Sequence, residues 1–185
     1  MLKLLIYYII RGYYLFKHRK ESVALFGGSF DPPHFGHREI VKSVLEILDI
    51  DKLIVVPTFL NPFKNKSHYS PHKRLILTKK MFQNLHSVEI NDYEINQQKS
   101  IKTQQTLKYF QQLYSVKYFI IGADNLKNID KWYNFEYINT QITWVIATRS
   151  GYELDTSKLR DFKILKVDAP ISSTEIRNKK DSINI

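Results

Sequence analysis

A chain of 185 residues, 43% of them hydrophobic, can bury one sizeable core and leaves little room for a second. It contains no cysteine, which excludes disulfides, thiolate metal sites and a cysteine nucleophile together. The net charge of +10 raises the question of nucleic acid, but half of it sits in the first twenty positions, on Lys3, Arg11, Lys17, Arg19 and Lys20. The remainder, spread over a long domain, suits a nucleotide phosphate pocket as well as a polynucleotide groove.

Residues 1–20 read as a basic, apolar leader and residues 21–185 as one domain. The leader is interrupted by Lys3 and Arg11 and falls short of the roughly 20 apolar residues that a spanning helix needs. Leu2, Leu5, Ile6, Ile9, Tyr13 and Phe16 share one side of a helical wheel, a pattern that permits contact with a membrane surface. No small-residue cleavage site precedes the first strand, so the expectation is an additional packing segment or an upstream start on a cytoplasmic protein.

From residue 22 the apolar pattern becomes regular. Val23 to Phe26 reads as a strand, and Ile40, Val41, Val44, Leu45 and Leu48 recur at helical spacing. Leu53 to Val56, closed by Pro57, completes a βαβ unit and implies a parallel sheet. Ser70-Pro71 opens the next helix with a capping residue and a proline, and Leu75, Ile76 and Phe82 supply its apolar side. Val88 to Ile90 is a strand, Thr103 to Tyr114 a helix with Leu107, Phe110 and Leu113 inward, and Tyr118 to Ile121 a strand ending at Gly122. Ile142 to Ala147 and Phe162 to Val167 are further strands, and Ser172 with Glu175 marks the start of a last helix. This alternation predicts a single-domain, Rossmann-like α/β fold, a doubly wound and mostly parallel sheet with helices on both faces and ligands at the carboxyl ends of its strands.

The first loop carries the chemistry. Gly27 and Gly28 after a buried strand allow a sharp turn and close backbone approach, and the following helix start offers free N–H groups to a phosphate. The loop matches neither the G-x-G-x-x-G dinucleotide fingerprint nor the P-loop. His34 and His37, three apart, share one face of a helix start, with Gly36 between them. Such a pair serves as metal ligands, as an acid and base, or as two packed surface rings. Helical zinc pairs favour i, i+4 spacing with a third ligand, so phosphate contact is the better fit.

The run GGSFDPPHFGH, residues 27–37, resembles the G-S-F-D-P-x-H-x-G-H signature of the nucleotidyltransferase superfamily with the H-x-G-H motif. Within that superfamily the chain resembles the bacterial nicotinate-nucleotide adenylyltransferases. Four more segments agree in order and spacing: residues 57–64 (PTFLNPFK), 121–126 (IGADNL), Trp132-Tyr133, and 171–177 (ISSTEIR). The resemblance implies attack of the 5′-phosphate of nicotinate mononucleotide on the α-phosphorus of ATP, with Mg²⁺ arriving on ATP.

By position, the resemblance assigns catalytic work to His37, His34, Arg177 and Lys64. Gly27, Gly28, Ser29, Phe30, Gly122, Asp124, Ser172 and Ser173 would join His34, His37 and Arg177 around ATP. Asp31, Lys64, Thr103, Trp132 and Tyr133 would hold the mononucleotide. The lesser alternatives are that Asp124 caps a helix after Gly122 and that Trp132 fills core space. Lys64 lies among Lys66, His68, His72, Lys73 and Arg74 in a polar loop, where His68 and His72 read as surface. The family's S-Y-T-x-x-T-L is here Ile101-Lys102-Thr103-Gln104-Gln105-Thr106-Leu107, which lacks the Ser and the Tyr. The alternatives are phosphopantetheine or nicotinamide mononucleotide adenylyltransferase chemistry and, in another class, a nucleotide- or RNA-binding module without turnover.

Overall fold

The computed structural model describes residues 19–148, 154–167 and 173. The continuous apolar runs become strands because they are covered on both faces, as parallel strands must be. In chain order the elements are β1 (Ser22–Gly28), α1 (Phe35–Ile47), β2 (Lys52–Pro57), α2 (Pro71–Phe82), β3 (Val88–Ile90), α3 (Tyr93–Asn96) and α4 (Thr103–Leu113). They continue with β4 (Ser115–Gly122), a 3₁₀ segment (Ala123–Lys131), α5 (Phe135–Gln141), β5 (Thr143–Thr148) and β6 (Phe162–Lys166). The strands form one sheet in the order β3-β2-β1-β4-β5-β6, and every pairing is parallel where the sequence predicted a mostly parallel sheet.

Side chains alternate across the sheet into two cores. Val23, Leu25, Ile54 and Trp144 pack on one face with Leu107 and Phe110 of α4 and Ile138 of α5. Ala24, Phe26, Val55 and Val145 pack on the other with Val41 and Val44 of α1 and Phe82 of α2. Each such aliphatic or aromatic burial stabilises by about 1.5–3 kcal/mol. Two side chains assigned to the core face outward instead, Ile76 at 65% exposure and Leu113 at 51%. On α2 the inward positions are Arg74, Leu75, Thr78 and Phe82, so a buried arginine takes the place given to Ile76.

Local chemistry sets the ends. Ser70 Oγ accepts from Lys73 N at 3.3 Å, with Pro71 as the first helical residue, as the sequence predicted. Asn139 on α5 accepts from Trp144 Nε1 at 2.9 Å and from Arg160 N at 3.0 Å, and its Nδ2 donates to Lys158 O. The buried indole of β5 therefore has its required partner. No helix among the described residues is long and apolar enough to cross a membrane, and residues 1–18 of the leader lie outside them.

Candidate active site

The strand order reverses between β1 and β4, and a cavity of about 820 Å³ opens over their carboxyl ends. Every described residue assigned a role from the sequence lines it: Gly27, Gly28, Ser29, Phe30, Asp31, His34, His37, Lys64, Thr103, Gly122, Asp124, Trp132, Tyr133 and Ser173. Ser172 and Arg177 lie outside the described residues. Ser173 Oγ donates to Pro32 O at 3.0 Å, which sets the start of the last segment against the first loop.

The first loop turns for a different reason from the one expected. Gly27 and Gly28 are the last residues of β1, and the left-handed turn falls on Phe30, at φ 46°. An aromatic residue in that region is strained and persists only where packing holds it. Phe30 is 1% exposed and stands edge-on to Phe26 with centroids 5.3 Å apart. The glycines serve that packing. A Cβ at residue 27 would meet the Phe119 ring at 3.1 Å, and one at residue 28 the Phe30 ring at 3.1 Å.

His34 is the N-cap of α1 and His37 lies in its first turn. Their rings are 3.8 Å apart between centroids, and His37 also packs against Phe30 at 4.9 Å. His34 N donates to His37 Nδ1 at 3.1 Å. An accepting Nδ1 places the proton of a neutral imidazole on Nε2, which makes that atom a donor. Burial, with a smaller contribution from His34, lowers the His37 pKa from 6.5 to about 3, so the ring is neutral at working pH.

The rest of the cavity wall is built from other elements. Trp132, half-buried, stands edge-on to Phe119 at 6.4 Å and to Trp144 at 5.9 Å while lining the cavity. It is anchored in the core and exposed to the ligand space at once. Tyr133 beside it is 62% exposed, and Phe63, which also lines the cavity, is 58% exposed. Thr103 opens α4. Asp124 lies inside the 3₁₀ segment, whose N-cap is Gly122; its Oδ1 accepts from Asn125 Nδ2 at 3.3 Å and lies 2.5 Å from where a Cβ at residue 122 would stand. A side chain at residue 122 would displace the exposed Asp124 carboxylate.

Two residues have tasks that the sequence did not suggest. Both Asp31 oxygens accept backbone N–H groups, from His68 at 2.6 Å and Tyr69 at 2.8 Å. Arg74, read as one of several basic loop residues, is fully buried and donates to Ser29 O at 2.5 Å, Phe59 O at 2.6 Å and Tyr69 O at 3.2 Å. Together they fasten the histidine loop to residues 58–70. The surrounding string of Lys, His and Arg concealed Arg74, since exposed and buried cations look alike without a contact map. Glu94, Thr58 and Lys102 also line the cavity and were missed.

A parallel doubly wound sheet with paired histidines at its first helix start and a cavity over the switch point defines a nucleotidyltransferase architecture. The cytidylyltransferase-like family matches residues 25–179. The probable nicotinate-nucleotide adenylyltransferase of a Sulfurovum species is 54% identical over 162 residues, covering 88% of this chain and 86% of its own. That of Aliarcobacter butzleri is 50% identical, covering 87% and 88%. The chain belongs to the cytidylyltransferase-like family, on its nicotinate-nucleotide adenylyltransferase branch. The Plasmodium falciparum nicotinic acid mononucleotide adenylyltransferase complexed with NaAD has the same fold, with a TM-score of 0.71 at 22% identity over 85% of this chain and 83% of its own.

Proposed function

We propose that this enzyme transfers the adenylyl group of ATP to nicotinate mononucleotide, releasing pyrophosphate and forming nicotinate adenine dinucleotide, a step of NAD biosynthesis. The observation that carries the reading is a single cavity lined by both the histidine pair and Trp132 with Thr103, in a chain 54% identical to a relative of that name. A mononucleotide phosphate oxygen forms the new bond to the α-phosphorus, and the bond from that phosphorus to the β-phosphate oxygen breaks. The attacking oxygen is already ionised at neutral pH, so the protein supplies positioning and charge stabilisation in place of a nucleophile.

In this reading the Nε2–H of His37 donates to the α-phosphate, His34 to a neighbouring phosphate, and Arg177 grips the departing pyrophosphate with its planar fork. Lys64 contacts the mononucleotide phosphate, Trp132 stacks on the pyridine, and Asp124 accepts from a ribose hydroxyl. Gly27 to Phe30, Gly122, Ser172 and Ser173 shape the ATP side, while Thr103 and Tyr133 close the ring side. Asp31 acts indirectly, by holding residues 68–69. Mg²⁺ enters as part of the ATP substrate, carried mainly on phosphate oxygens.

The test is pyrophosphate release from ATP with nicotinate mononucleotide, nicotinamide mononucleotide or phosphopantetheine as acceptor. Nicotinate mononucleotide is expected to give the highest kcat/KM. Release with none of the three would leave a binding module as the reading.

A further inference from the structure

Phe63 is an aromatic residue on the cavity wall for which the mechanism above has no use. The sequence builds a tight turn around it. Asn61 and Pro62 are favoured at the first two positions of a β-turn, and Lys64 N donates to Asn61 O at 2.9 Å across it. Asn61 Oδ1 accepts from Phe63 N at 2.9 Å, which fixes the residue that the turn presents. Both ends of the segment are fastened to the first loop: Thr58 N donates to Gly28 O at 2.9 Å, and the Asp31 carboxylate accepts from His68 N and Tyr69 N. Phe63 is thus held out of the core by specific bonds.

Phe26 pairs with Phe30, and Phe119 with Trp132, along the same cavity. Phe63 meets no other ring among the described residues and is more than half exposed. A single apolar side chain on open surface needs no explanation. One pinned on the wall of a substrate cavity favours a ligand that covers it, because covering the ring removes apolar area from water.

The topology points to which ligand. β2 and β4 lie on opposite sides of β1, so the loop that carries Phe63 and the segment that ends at Trp132 flank the β1 end from opposite sides. Resting on the reading that Trp132 stacks on the pyridine and Lys64 contacts the mononucleotide phosphate, we propose that Phe63 closes the mononucleotide in from the β2 side. Its ring packs on the ribose and pyridine while Lys64, the next residue of the same turn, holds the phosphate. The span of a β-turn is short enough for both to reach one small molecule. Water excluded by the ring also strengthens the Lys64 contact. The contact is apolar and falls on parts common to nicotinate and nicotinamide mononucleotide, so it sets affinity for the acceptor without choosing between acid and amide.

The experiment measures kcat and the KM of ATP and of nicotinate mononucleotide for the full chain, Phe63→Ser and Phe63→Tyr, with melting temperatures by circular dichroism. Phe63→Ser is expected to raise the KM of the mononucleotide about tenfold to a hundredfold, while kcat and the KM of ATP change by less than about twofold. Phe63→Tyr keeps the ring and should restore the wild-type KM. An unchanged mononucleotide KM in Phe63→Ser, or an equal rise for ATP, overturns the proposal. So does a large loss of melting temperature, which would show that the ring packs the loop instead. Absence of pyrophosphate release by the wild type with any acceptor refutes the function itself, whereas an active wild type with an unaltered variant refutes the role of Phe63 alone.

Discussion

His37 is placed by three constraints: a backbone donor on Nδ1, the tilted His34 ring and the ring of Phe30. A donor fixed in this way needs no reorganisation as charge develops, and removal of one such donor costs about 10²–10³ in rate. His37→Ala is therefore expected to lower kcat by that order, read in single-turnover kinetics at saturating ATP, with near-normal turnover contradicting the assignment. Because its pKa is already lowered to about 3, the free enzyme should show no acid limb near pH 6 from this ring. At this scale the sequence was most legible where several special residues stand together, as in residues 27–37. It was least legible at Arg74 and Glu94, whose chemistry depends on burial created by distant segments.

Among the elements, the loops after β1 and β2 behave as one unit because Arg74 of α2 and Asp31 stitch them together. Losing a buried donor exposes each abandoned carbonyl to a penalty of about 1–3 kcal/mol. Arg74→Leu should then destabilise by ~3 kcal/mol or more, roughly 6–12 °C in Tm for a chain of this size. Arg74→Lys should recover little, since an ammonium cannot span three carbonyls in one plane. An unchanged melting curve by circular dichroism would show that the clamp contributes nothing. The strands and long helices were readable because hydrophobic periodicity is a local signal. The pieces from Tyr93 to Asn96 and Phe135 to Gln141 were not, since helices this short have too few turns to display a period and depend on tertiary packing.

For the whole molecule, the parallel sheet covered by helices on both faces followed from the alternation of strand and helix runs, whereas the order β3-β2-β1-β4-β5-β6 came only with the structure. Its stability should carry the mark of Glu94. Because it is buried, the folded carboxyl keeps its proton to about 7 whereas the unfolded one releases it near 4.5, so the folded state binds more protons between those values. Stability is thus expected to decrease as pH rises from about 4.5 to 7, by on the order of 3 kcal/mol, and to level off above. Denaturant titrations across that window check this, and Glu94→Gln should lack the slope. The aromatic floor of the site has a mechanical corollary. Phe119 fills the space left by the missing side chain of Gly27 and also packs at right angles against Trp132. A methyl group added at residue 27 would press on the very ring that packs against the indole. The histidine loop and the Trp132 wall of the one cavity thus lean on the same ring, so a change of side chain at Gly27 is felt at the indole as well.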